Sequence, residues 1–186
     1  MSKILTTQLT GLFQRIGQSE EEAIEETARL LAQAAIGQGT VYFATFGELE
    51  AIAIQAEQGV QPFAKFARYD EAIELMPADR VIIFTRQASD EQALLLARKL
   101  HKEFIPFSAV ASEVASDDNE LSDLAYTYIS LKMRGGILPH PTKLGERIVF
   151  PHMMAALYIY EAIKMEFDEM VAGDEDDEEE SASPFA

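Results

Sequence analysis

The sequence predicts an α/β fold: a three-layer, doubly wound parallel sheet with two leading helices and a long closing helix. Three observations carry this. Short β-rich runs alternate with stretches of helical periodicity, the pattern of βαβ units. Two amphipathic stretches precede the first strand, and a strongly apolar helical stretch follows the last one.

Taken in order, Ile4, Leu5, Leu9, Leu12, Phe13 and Ile16 fall at helical spacing between Ser2 and Gly17. Ser19 then reads as an N-cap, with Glu22 in the capping-box position and Glu20 and Glu21 complementing the positive helix end. That second helix is expected to run to about Ile36 and stop at Gly37 or Gly39. TVYFATF (Thr40–Phe46) is the first strand, and GELEAIAIQAEQG is a helix ending at Gly59. QPFAKFARY supplies a short strand, and Asp70–Leu75 a small helix or loop. RVIIF (Arg80–Phe84) is a clear strand, followed by a helix over Ser89–Lys102. FIPFSAVAS (Phe104–Ser112) is a further strand in which Pro106 marks an edge or a start. AYTYISL (Ala125–Leu131) is the last strand before the loop KMRGGILPHPTKLGER. The closing helix is expected from Pro151, a residue suited to a first turn, to Val171.

With 186 residues there is room for one domain, expected over 1–172, and an acidic, disordered tail over 173–186. The absence of cysteine excludes disulfides, thiolate metal sites and thiol nucleophiles. No signal peptide and no apolar run of the ~18 residues a membrane span needs are visible, so a cytoplasmic protein without membrane contact is expected. The formal charge is −17, of which Asp174–Glu180 supply seven, leaving about −10 for the rest. So acidic a chain repels nucleic acid, because phosphate-backbone binding needs basic groups. The three histidines show no ligand spacing, so no metal and no cofactor is expected. Nor is there a P-loop, a G-x-G-x-x-G or a G-x-S-x-G elbow.

In such folds a ligand lies outside the carboxyl ends of the strands where strand order reverses, and helix N-termini there favour an anion. Two turns qualify. In ATFGELE, Thr45 offers a hydroxyl, Gly47 permits close backbone approach, and Glu48 places a carboxylate at the helix start. In TRQASDEQ, Thr85, Gln87 and Ser89 offer polar groups and Arg86 a bidentate phosphate contact. The spacing also accommodates a plain connection, with Ser89 as N-cap and Asp90 and Glu91 complementing the dipole.

VYFATFGELEAIAIQA, VIIFTRQASDEQALLLARKL and ERIVFPHMMAALYIYEAI resemble the first strand and glycine turn, the phosphate loop and the closing helix of the sugar isomerase (SIS) domain family, of which phosphoheptose isomerase is a compact example. TTQLTGLFQRI and FPHMMAALYIYEAI further resemble a small bacterial group usually placed beside that fold. The resemblance implies an SIS-like sheet with flavodoxin-like strand order, a sugar-phosphate ligand and a homodimer or tetramer. It also implies a catalytic histidine in the closing helix, which makes His152 the candidate; its position equally suits a ring hydrogen-bonded at the helix entrance. Glu48, by its place at the first-strand turn, reads either as a carboxylate base or as a complement to the helix dipole. The chain departs from the family at both turns. Glu48 stands near the family's serine, and Thr85-Arg86-Gln87-Ala88-Ser89 replaces a glycine-containing hydroxyl loop. Two functions follow: a phosphosugar-binding SIS-type protein acting as an aldose–ketose isomerase, or a non-catalytic sugar-phosphate sensor or scaffold. An isomerase needs a base beside the carbonyl and a donor at its oxygen. His101 reads as a cation at a helix C-terminus, and His140 lies between two prolines. Lys132, Arg134 and Lys143 make the Gly135-Gly136 loop the basic stretch of an acidic chain, either to close over an anion or to solubilise the surface.

Overall fold

In the computed structural model, which describes residues 2–181, five parallel strands form one sheet in the order β2-β1-β3-β4-β5. The strands are β1 (Val41–Thr45), β2 (Phe66–Arg68), β3 (Arg80–Phe84), β4 (Phe107–Ala111) and β5 (Thr127–Ser130). This is the flavodoxin-like order that the sequence predicts. The helices are α1 (Ser2–Ser19), α2 (Glu21–Ile36), α3 (Glu50–Gln58), α4 (Glu91–Lys102), α5 (Glu120–Leu124) and α6 (His152–Ser181).

Alternation along the strands sorts the core into two faces. Val41, Phe43, Ile82, Phe84, Val110 and Ile129 point toward α1, α2, α3 and α6. Val81, Ile83, Ala109 and Ala111 point toward α4 and α5. Both sets are buried, as a parallel sheet with helices on both faces requires. The first face is aromatic at the β1 side, where Phe43 packs against Phe63, Phe66, Phe84 and Tyr160. On the α2 side, the hydroxyls of Thr27, Ser108 and Thr127 hydrogen-bond one another in the core at 2.6–2.8 Å, so none is buried without a partner.

Four of the boundaries that differ from the sequence expectation have a local reason. Ser19 ends α1 and donates to the Arg15 carbonyl, so it does not cap α2, and no capping box forms. Asp90, not Ser89, is the N-cap of α4, accepting from the Gln92 and Ala93 amides. Its carboxylate complements the helix dipole better than a hydroxyl does. Pro106 precedes β4, which begins at Phe107 between β3 and β5, so the proline costs the ladder no donor. The closing helix continues past Val171 to Ser181, where glutamate, a good helix former, extends a helix already nucleated. The tail expected from 173 thus begins within α6, and residues 182–186 lie outside the described residues. The loop before α6 holds a short antiparallel pair, β6 (Leu138–Pro139) with β7 (Arg147–Ile148), that the sequence does not announce.

Glu20, at the α1–α2 junction, is buried. Its carboxylate accepts from the Ser130 amide at 2.9 Å and pairs with Lys132 Nζ at 2.5 Å. This ties the helical layer to the end of β5. Lys132 itself sits at φ +53°, a left-handed conformation that costs a non-glycine residue about 1 kcal/mol, and the Glu20 pair holds it there. Replacing Glu20 by alanine strands the Ser130 amide and removes that anchor. We expect Glu20→Ala to lower stability by about 2–3 kcal/mol in urea unfolding.

Candidate functional site

The carboxyl edge of the sheet carries the chemistry-bearing turns. After β1 the chain enters a single 3-10 turn, Gly47–Leu49, before α3. Gly47 has φ +59°, and a Cβ built there meets nothing within 4 Å. The glycine is therefore required by its backbone conformation, with open space in front of it. After β3, Thr85-Arg86-Gln87 leads to the α4 cap. After β4 come Ser112 and Glu113, and after β5 comes Lys132–Gly135. The first residue of α6, His152, reaches the same edge.

Arg86, Gln87, Glu113, Lys132, Arg134 and His152 line a cleft of about 650 Å³. A smaller hollow of about 260 Å³ adjoins it through Arg86 and Gln87 and is lined also by Gly47, Glu48 and Thr85. The smaller hollow lies at the β1/β3 gap, the point where strand order reverses, and the main cleft extends from it past the ends of β3, β4 and β5. Glu48 Oε1 stands 3.8 Å from Arg86 Nε and 4.0 Å from His152 Nδ1. These are electrostatic contacts longer than hydrogen bonds, so each group keeps hydrogen-bonding capacity. His152 is buried, and its Nδ1 has no partner among the described residues. Burial holds the His152 pKa below the ordinary histidine value, and the Arg86 charge lowers it further. Glu48 and the Phe150 carbonyl oppose this only in part. Three residues before His152, Val149 adopts φ +63°, a genuine outlier for a β-branched side chain. Strain of this kind clusters at ligand sites.

Of the residues named from sequence, Gly47, Glu48, Thr85, Arg86, Gln87 and His152 meet at this edge. Thr85 is fully buried and bonds the Gln87 carbonyl at 3.3 Å, shaping the turn from within. Thr45 closes β1 opposite Phe84 and lines neither hollow. Ser89 faces a separate groove with Asn119 and Glu120. Lys143 pairs with Glu146 at 3.3 Å, while His140 Nδ1 accepts from the Thr142 and Lys143 amides and folds the loop. Sequence reasoning missed Glu113, Ser112 and Phe150. Their signal was position, since Ser112 and Glu113 directly follow β4 at the ligand-bearing edge.

A family model described as "Domain of unknown function (DUF2529)" matches residues 1–171. The chain belongs to the DUF2529 family. The uncharacterised protein YwjG of Bacillus subtilis (strain 168) is 34% identical over 172 residues, covering 92% of this chain and 98% of YwjG. Among solved structures, the Vibrio vulnificus NanR protein complexed with ManNAc-6P superposes with TM-score 0.67 at 14% identity, over 97% of this chain and 67% of NanR. A candidate phosphosugar isomerase involved in capsule formation from Bacteroides fragilis gives TM-score 0.64 at 13% identity, over 89% and 86%. The sugar isomerase domain of an RpiR transcription factor from Sphaerobacter thermophilus gives 0.59 at 13% identity, over 96% and 97%. This DUF2529 chain therefore has the sugar isomerase domain fold, as the sequence resemblance implies.

In this DUF2529 chain the depressed His152 pKa makes the imidazole neutral at pH 7. NMR titration should show His152 titrating below 6.5, with the midpoint rising in Arg86→Ala as the opposing charge is removed. The sign for stability follows. As pH falls through 6.5 the unfolded chain binds the proton first, so this histidine lowers stability progressively until its folded pKa is passed. A His152→Gln variant should lack that component of the pH dependence.

Proposed function

We propose that the cleft binds a small sugar phosphate, with Arg86 and Arg134 receiving the phosphate and Glu48 and His152 facing the sugar. The observation that carries this is the convergence of Glu48, Arg86 and His152, from three distant segments, at the switch point of the sheet. A volume of about 650 Å³ suits a ligand of that size. The cations around the cleft supply the attraction that the acidic chain as a whole does not. Arg134, exposed at the rim, forms no ion pair among the described residues. NanR with its bound ManNAc-6P supports the ligand class by analogy of fold.

For aldose–ketose isomerisation, the Glu48 carboxylate removes the proton beside the carbonyl and returns it to the neighbouring carbon. Neutral His152 serves as hydrogen-bonding partner of the sugar oxygens. One observation favours a second reading, a sensor or scaffold without turnover: the Ala88 amide in the β3–α4 turn already donates to Glu113 at 2.7 Å. Self-association is part of the proposal. Met154, Leu157 and Met165 are exposed along α6 at helical spacing, and light scattering would test for a dimer or tetramer.

A thermal-stability screen against sugar phosphates at millimolar concentration tests the ligand class. A ligand present at a hundred times its dissociation constant stabilises by about 2.7 kcal/mol, a visible shift. No shift with any sugar phosphate would remove the reading. Arg86→Ala should weaken a phosphorylated sugar about tenfold or more while leaving its unphosphorylated counterpart little changed. For any ligand found, deuterium uptake from solvent at the carbon next to the carbonyl, lost in Glu48→Gln, marks the isomerase. Binding without uptake marks the sensor.

A further inference from the structure

The turn between β3 and α4 is where a backbone amide would meet a ligand's phosphate, since unpaired N–H groups at a helix entry favour an anion. In this chain the Ala88 amide of that turn is taken. It donates to Glu113 Oε2 at 2.7 Å, a distance at the short, charge-assisted end for N–H···O. The backbone that presents Glu113 is fixed. Ser112 donates to the Arg86 carbonyl from both its amide and its hydroxyl, and Tyr128 Oη donates to the Glu113 carbonyl at 2.8 Å. Burial pushes the Tyr128 pKa up to about 12, so this donor keeps its proton. The Glu113 side chain itself is exposed and stands between two hollows: it lines the main cleft beside Arg86, Lys132, Arg134 and His152, and the adjoining groove that Ala88 and Ser89 line. The buried, unpartnered Nδ1 of His152 on the same cleft is an independent sign that a polar ligand is accommodated there.

We propose that Glu113 is an internal anion seated in the phosphate position of the β3–α4 turn, and that it sets which anions the cleft accepts. The inference rests on the reading of the cleft as an anion site. A phosphate competes with a tethered carboxylate at high effective concentration, and meets its charge even when it wins the seat. Anions that rely on the turn are disfavoured. Anions held by Arg86 and Arg134, whose remaining groups reach Glu48 and His152, are retained. Glu113 thus acts where the sequence has lost the glycine of a phosphate loop, by filling the seat instead of widening it.

The test is a titration of the full chain with inorganic phosphate, followed by amide NMR, for wild type, Glu113→Gln and Glu113→Ala. Glu113→Ala opens the Ala88 amide and removes the charge, so phosphate should bind about tenfold or more tightly, with the Ala88 amide among the resonances that move. Glu113→Gln keeps an oxygen for Ala88 but loses the charge, and should fall between the two. Unchanged or weaker phosphate binding in both variants overturns the proposal, as does tighter binding to which the Ala88 amide does not respond. If Glu113→Ala proves unfolded by its thermal midpoint, Glu113→Gln alone decides by the same criteria. The outcomes separate from those of the sugar-phosphate screen. A gain in Glu113→Ala upholds the inference even where wild type binds no sugar phosphate. Wild-type binding of a sugar phosphate, with no gain for phosphate in the variants, overturns it and leaves the ligand class standing.

Discussion

The reversal of strand order between β1 and β3 is the constraint that brings Glu48, Arg86 and His152 to one opening. From β1 the chain returns through α3 on one face of the sheet to β2, and from β3 through α4 on the other face to β4. Parallel connections are right-handed, so adjacent strands whose crossovers run in opposite directions must send their helices to opposite faces. The two turns then splay apart at the carboxyl edge, and the gap between them cannot be filled by either helix. Glu48 and Arg86 are the residues facing each other across that gap. The closing helix packs on the α3 face through Ala155, Ala156, Ile159 and Ile163, which brings its first residue, His152, over the same opening.

The electrostatics of the cleft are built from local pairs within a chain of strong opposite charge. Each cation near the opening is answered unequally. Lys132 is committed to buried Glu20 at 2.5 Å, whereas Arg86 meets Glu48 only at 3.8 Å with both side chains about half exposed. An exposed pair at that distance contributes little to stability and is easily exchanged for a better partner. The division is physically sensible. Lys132 holds the loop in a left-handed turn and acts structurally, while the forked donors of Arg86 are not engaged by Glu48 at hydrogen-bond distance.

The fold was legible because periodicity reports burial. VIIF over 81–84 is apolar on successive residues, and the structure alternates them between two cores. The helix ends were less legible because several side chains compete for each cap. Ser19 could serve either the helix before it or the one after it, and a hydroxyl returning to its own i−4 carbonyl settles the matter locally. Glu20 carries no sign in the sequence that its partner lies on β5, since that contact joins residues 110 positions apart. The switch-point residues were within reach of sequence reasoning, because strand ends and the reversal rule together name the turns. The place of Glu113 after β4 was legible in the same way, but its hydrogen-bond partner was not. That contact is to the Ala88 backbone amide, which leaves no trace in residue type.

A buried imidazole nitrogen without a partner costs on the order of 1–3 kcal/mol, a large part of a domain's net stability. Such a cost persists only where the surroundings fix the group. Here burial of His152 at the start of α6 fixes the ring at the wall of the cleft. Keeping His152 neutral limits the penalty, for a charged ring would have to be desolvated beside Arg86. The unpaired nitrogen and the loose Glu48–Arg86 contact are then two expressions of one condition. Polar groups that the fold could have satisfied internally are held in place and left incompletely paired at the single edge where strand order leaves room for a ligand.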